Sequence, residues 1–136
     1  MRIGFVVFAA AVTLIGCHGG RPADTLLPQT EVTDARYKGL VFLVATVRQA
    51  GSDFVVTNDS TQPWFDVTIA LEETGADEYL ARLSEVDAGQ TVTVPSTTFT
   101  TSRGFAFDAR RVMPHSLIVS AEIGEGGPTG VYAVRL

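Results

Sequence analysis

The sequence predicts an all-β fold: an antiparallel sandwich of about seven short strands. Three observations carry that expectation. Across residues 54–71, FVVTNDSTQPWFDVTIAL, the apolar side chains of Phe65, Val67, Ile69 and Leu71 alternate with Asp66 and Thr68. Successive strand side chains point to opposite faces, so this spacing gives one buried face and one wet face. Clusters of Asn, Asp, Ser, Gly and Pro recur at short intervals along the chain, at 58–63, 72–77, 86–89 and 124–130, which is turn chemistry between strands. No stretch keeps helical spacing for long, and the connections are too short for the crossovers that a parallel sheet requires.

In chain order, residues 1–16 read MRIGFVVFAAAVTLIG, with Arg2 followed by a run from Ile3 to Ile15 broken only by Gly4 and Thr13. As a helix that run is about 20 Å long, short of the ~30 Å hydrocarbon core and of the size of a signal-peptide apolar region. It ends in Leu14-Ile15-Gly16-Cys17. Positive charge, apolar run and this ending together resemble the lipobox of bacterial lipoprotein precursors. The resemblance implies that residues 1–16 are a signal peptide, that cleavage falls before Cys17, that Cys17 carries a thioether lipid, and that its new amino group is acylated with a palmitate-like chain. His18 stands where the pattern of diderm bacteria places Asp for inner-membrane retention, which points to the periplasmic side of the outer membrane. Two lipid chains make a stable anchor where one does not.

Residues 17–36 are expected to form a flexible tether, since two glycines, two prolines and scattered polar residues show no sustained periodicity. Leu26-Leu27 is the one pair there able to pack back as an edge strand. The β-domain is expected over residues 37–136. Its first strand is the nearly continuous apolar run LVFLVATV (40–47), read as central or covered at one end. FVVT (54–57) follows, then a turn in which Pro63, unable to donate to a ladder, marks a strand boundary. The next strand carries Phe65, Val67, Ile69 and Leu71 inward. EYLARL (78–83) turns Tyr79, Ala81 and Leu83 inward, and QTVTVP (90–95) turns Val92 and Val94 inward. Phe99, Phe105 and Phe107 punctuate a loop with a short strand. HSLIVSAEI (115–123), with Leu117, Val119, Ala121 and Ile123 inward, and residues 131–136 close the domain.

From Val56 to Phe99 the chain resembles bacterial immunoglobulin-like modules of the FxLYD type. A strand runs into Asn58, a polar turn contains Ser60, and Trp64-Phe65-Asp66-Val67-Thr68-Ile69 forms the next strand, with Ala88-Gly89-Gln90-Thr91 and Phe99 further on. Leu71 is followed by Glu72-Glu73 where those modules carry Tyr-Asp. The resemblance implies an immunoglobulin-like sandwich and, because one fold hosts many functions, architecture only.

The totals limit function. The chain has 136 residues, enough for one domain, and a net charge of −5 with a single cysteine. Loss of Arg2 with the leader leaves 15 acidic against 9 basic residues. An acidic domain with scattered arginines offers nucleic acid no basic stripe, and one cysteine allows no internal disulfide. Neither His18 nor His115 accompanies a nucleophile signature. With Cys17 lipidated, no zinc set remains. Asp53, Asp59 and Asp66 near one hairpin, and Glu72, Glu73, Asp77 and Glu78 in one turn, lack calcium-loop spacing and read as solvated charge. Gly124-Glu125-Gly126-Gly127-Pro128 has no following Lys or helix and so is no phosphate loop. Trp64 reads as a core plug, with a surface platform for sugar as the other option. The expectation is therefore a lipid-anchored envelope protein with no catalytic, cofactor or metal residue, in which Cys17 is the modified site. Its partners are the membrane and an envelope protein or glycan. The alternative reading is a small envelope hydrolase.

Overall fold

The computed structural model describes residues 24–32, 34–75 and 77–136. The expected signal peptide, Cys17 and the first part of the expected tether lie outside the described residues. Nine strands follow in order: β1 (Asp24–Leu26), β2 (Val41–Phe42), β3 (Ala45–Ala50), β4 (Asp53–Asn58), β5 (Trp64–Glu72), β6 (Tyr79–Val86), β7 (Thr91–Val94), β8 (Ser116–Ile123) and β9 (Thr129–Arg135). They form one sheet of order β1-β3-β4-β7 and another of order β2-β9-β8-β5-β6. Every pairing is antiparallel except β2 with β9. Val47, Phe54, Val56 and Val94 from the first sheet share one core with Trp64, Ile69, Leu71, Leu117 and Val119 from the second. The fold is an all-β sandwich, as the alternation of apolar residues predicts.

The register of the central strands follows from that alternation. Val67, Ile69, Leu71, Leu117 and Val119 are all buried, each such side chain contributing roughly 1.5–3 kcal/mol. Tyr79, Leu83, Val92 and Ile123 pack against the same core from its rim.

Four expectations need correction. Residues 40–47 are not one strand. Val41 and Phe42 pair with β9 in the second sheet, Leu43 drops into the core, and Ala45 begins β3 in the first sheet. The apolar run is long because the chain crosses between sheets there, and Phe42 and Val44 are left exposed.

The second correction concerns Phe65, which is only half-buried, whereas Trp64 beside it is fully buried. The β5–β8 register shifts between Phe65 and Thr68, and Asp66 has φ 48°, the only positive φ among the described non-glycine residues. An extra residue in one strand bends it and re-aims the side chains on either side. The inward set is therefore Trp64, Val67, Ile69 and Leu71.

Third, the tether is folded from Asp24 onward. β1 pairs with β3, placing Asp24 opposite Ala50. Leu27 enters the core, its N–H bonded to the Val47 carbonyl at 2.8 Å. The Thr30 N–H donates to Ala133 at 2.7 Å on the outer edge of β9. The chain then crosses the outer face of the second sheet, where Val32, Tyr37 and Leu40 cover Ala70, Ile118, Val131 and Ala133. β1 and Leu27 thus belong to the sandwich although they precede the domain start expected at residue 37. This strap explains why Ile118, on the supposedly wet face of β8, is buried.

Finally, the described residues hold nine strands where about seven are expected, the additions being β1 and the split of 40–47. Thr100 adds a single bridge to the edge of β6 at Leu80 and another to Ala106.

Candidate functional site

The end of the sandwich where β5 stops gathers charged side chains from distant parts of the chain. Glu72 ends β5 opposite Ser116, which opens β8, so their side chains meet, and Ser116 Oγ donates to Glu72 Oε2 at 2.8 Å. The His115 N–H donates to the Glu72 carbonyl, also at 2.8 Å. From the strap, a short 3-10 turn at Ala35–Tyr37 capped by Asp34 points Arg36 at the same carboxylate. Arg36 also bonds Asp34 Oδ2 at 2.8 Å and reaches Glu78 Oε2 at 3.5 Å. Its guanidinium carbon lies 5.2 Å from the Tyr37 ring centroid.

The electrostatics follow this geometry. The hydrogen bonds from Arg36 hold the Asp34 carboxyl below its usual range, and Asp34 in turn raises the pKa of Arg36. Burial pushes the Tyr37 phenol upward. Beyond them, Arg103 bonds Asp77 at 2.8 Å. The result is a cleft of about 430 Å³ lined by Arg36, Glu72, Glu73, Asp77, Glu78 and His115.

The sequence places these four acidic residues in one turn, and the structure brings to them an arginine from 36 positions earlier in the chain. Both Glu72 oxygens are occupied, one by Arg36 and one by Ser116. The Ser116 proton points at a carboxylate rather than at an imidazole, and the His115 side chain is exposed. The group is a brace, more acidic than basic, that ties the strap to the ends of β5 and β8.

Other residues marked in the sequence are dispersed. Asp53 Oδ1 accepts from the Ser96 N–H at 3.0 Å, Asp59 accepts from Thr46 Oγ1, and Asp66 sits exposed on the bulge. Among the described residues no three His, Cys, Asp or Glu are grouped so as to hold a metal ion. Gly124–Pro128 forms the β8–β9 turn, where a Cβ on Gly127 would lie 1.8 Å from the Ile123 carbonyl oxygen. Trp64 is entirely enclosed, opposite Val86 and Ile123. That enclosure overturns its reading as a surface platform for sugar. Its Nε1 has no hydrogen-bond partner among the described residues.

A polar residue absent from the sequence-based candidates matters at the other end. Asn58 is fully buried. Its Nδ2 donates to the carbonyls of Gln62 at 2.8 Å and Val86 at 3.1 Å, and its Oδ1 accepts from Ser60 N at 3.0 Å and Ser60 Oγ at 2.7 Å. All four hydrogen-bonding positions of the amide are filled. Asn58 and Ser60, noted from the sequence only as turn formers, therefore lock the β4–β5 turn to the end of β6.

Compared with protein-family models and with curated proteins, the chain matches none.

Proposed function

We propose that the protein is a lipid-anchored envelope protein whose sandwich is a non-catalytic module, serving to bind an envelope protein or glycan or to space one from the membrane. One observation carries the reading: Arg2, the apolar run and Leu14-Ile15-Gly16-Cys17 occur in order, immediately ahead of a single all-β domain. The polar groups that suggest chemistry support it. Glu72, Ser116, Arg36 and Asn58 bond one another or the backbone across long sequence separations, which is bracing rather than a nucleophile aligned with a base. The expected immunoglobulin-like identity belongs to the same proposal, resting on the 56–99 resemblance and on the Asn58–Ser60 turn.

Metabolic labelling with a palmitate analogue tests the anchor. The full chain is expected to incorporate label and the Cys17→Ser chain to incorporate none, because the thioether requires the thiol. Label retained on the Ser variant would sink the reading. Recovery of an envelope protein or glycan with the intact chain tests the module.

A further inference from the structure

Residues 95–115 join β7 to β8 with no strand of their own beyond single bridges at Thr100 and Ala106. Phe107 is buried and its N–H donates to the Phe99 carbonyl at 2.9 Å, while further on the His115 N–H is held by the Glu72 carbonyl. Between these fixed points Asp108, Ala109, Arg110 and Arg111 are all exposed. One residue closes the turn they make. Asp108 accepts from the Arg110 N–H through Oδ1 and from the Arg111 and Val112 N–H groups through its carbonyl, each at 2.9 Å. Its carboxylate also lies 3.7 Å from Arg111, whose side chain is 86% exposed, and an ion pair that open to solvent adds little.

The other arginines among the described residues are held by more than their own turn. Arg48, Arg82 and Arg135 lie within β3, β6 and β9. Arg36 is paired with Asp34, Glu72 and Glu78. Arg103 bonds Asp77 at 2.8 Å from a turn tied by Thr101, whose N–H donates to the Phe105 carbonyl at 2.9 Å and whose hydroxyl accepts from the Phe105 N–H at 3.1 Å. These differences matter to a protease, which reads its substrate as an extended segment through main-chain hydrogen bonds. An arginine in a strand is drawn out only by breaking the sheet, whereas the Asp108 turn opens on the loss of three hydrogen bonds. Exposed loop tips are where folded chains are nicked, and a basic side chain enters a specificity pocket that ends in a carboxylate.

We infer that the Arg110-Arg111 pair is a processing site for an arginine-specific endoprotease, gated by the Asp108 turn. The step is hydrolysis of the amide bond after Arg110 or Arg111. The C–N bond breaks, the carbonyl carbon gains the oxygen of water and the nitrogen gains both its protons, leaving a carboxylate and an ammonium. The sandwich survives the cut. β8, on the C-terminal piece, stays paired with β5 from Glu72–Ser116 to Trp64–Ile123, and Leu117, Val119 and Val134 stay in the core with Ile69 and Leu71. Processing thus gives a two-chain domain, from which the piece carrying β8 and β9 parts only when the fold opens.

Brief digestion of the folded full chain with clostripain, an arginine-specific protease, tests it. Intact masses should place the first cut among the described residues after Arg110 or Arg111. The two pieces should co-elute in native gel filtration and separate in denaturant. The melting temperature of the nicked protein should rise with protein concentration, because its folded state is now an assembly of two chains. Arg110→Ala/Arg111→Ala should abolish this cut while melting like the parent. Asp108→Ala should speed it by roughly threefold to tenfold, since cleavage follows the population of the open turn and one hydrogen bond of the gate is gone. A first cut after Arg36 or Arg103, or no cut short of global unfolding, overturns the processing site. An Asp108→Ala rate equal to the parent's overturns the gate, and pieces that separate without denaturant overturn the two-chain product. None of these readouts depends on lipidation of Cys17, so this inference and the anchored reading can fail separately.

Discussion

The Tyr132 hydroxyl donates a 2.8 Å hydrogen bond to the Leu27 carbonyl, joining residues 105 positions apart. It fastens the N-terminal strap to the last strand from inside the sandwich, beside the point where Leu27 enters the core. The strap at Leu27 is therefore built into the fold.

A chain beginning at Asp34 should be clearly less stable than one beginning at His18. It loses β1, the burial of Leu27 and the partner of Tyr132, together about 3–5 kcal/mol from apolar burial and an orphaned hydroxyl. Thermal melts should differ by on the order of 10 °C or more. Coincident melts would show that the strap does not share in cooperative unfolding.

Alkaline titration should expose the same contact. Burial raises the folded-state pKa of Tyr132 above its ordinary value of 10.0, and that of Tyr37 likewise. A raised phenol favours the folded state fully below the unfolded pKa, and that contribution is lost as pH rises through the folded value. Stability should thus fall above about pH 10. Tyr132→Phe should lower stability near neutrality by about 1 kcal/mol and make the alkaline fall shallower. An identical alkaline slope in both proteins would exclude Tyr132 as its source.

Asn58→Ala should cost about 2–4 kcal/mol, since it leaves buried donors and acceptors of the turn unpaired. Asn58→Asp places a carboxylate against the Gln62 and Val86 carbonyls, which raises its folded pKa. Its stability should therefore recover on acidification through that pKa toward the unfolded value near 3.9 and be lost as pH rises. Denaturant midpoints at several pH values check the sign, and a midpoint independent of pH contradicts the burial of this side chain.

Asp66→Gly should be neutral or stabilising by up to about 1 kcal/mol, because glycine adopts φ 48° without strain. Ile69→Ala should cost about 2–5 kcal/mol, while Thr68→Ala on the outer face should cost little. Matching losses for Ile69 and Thr68 would mean the register is wrong by one residue.

The sequence by itself determined the fold class, the core positions Val67, Ile69, Leu71, Leu117, Val119 and Ala121 and the position of most turns, because alternation and turn chemistry are local properties of a strand and its ends. It also showed the acidic turn from Glu72 to Glu78. What only the tertiary structure decided are contacts between distant segments. In isolation the 40–47 run reads as one strand, and only the positions of the two sheets assign its halves to different layers. The Asp66 bulge, which exchanges Phe65 for Trp64 in the core, exists because β5 must meet β8 in register on both sides of the kink. The strap looks like a tether because its glycines, prolines and isolated apolar residues have no period of their own. Leu27, Val32, Tyr37 and Leu40 instead fill sites on both sheets, and Arg36 closes a cleft whose other groups lie far along the chain. Local pattern records which side chains leave water; which surface receives them depends on the folded partner.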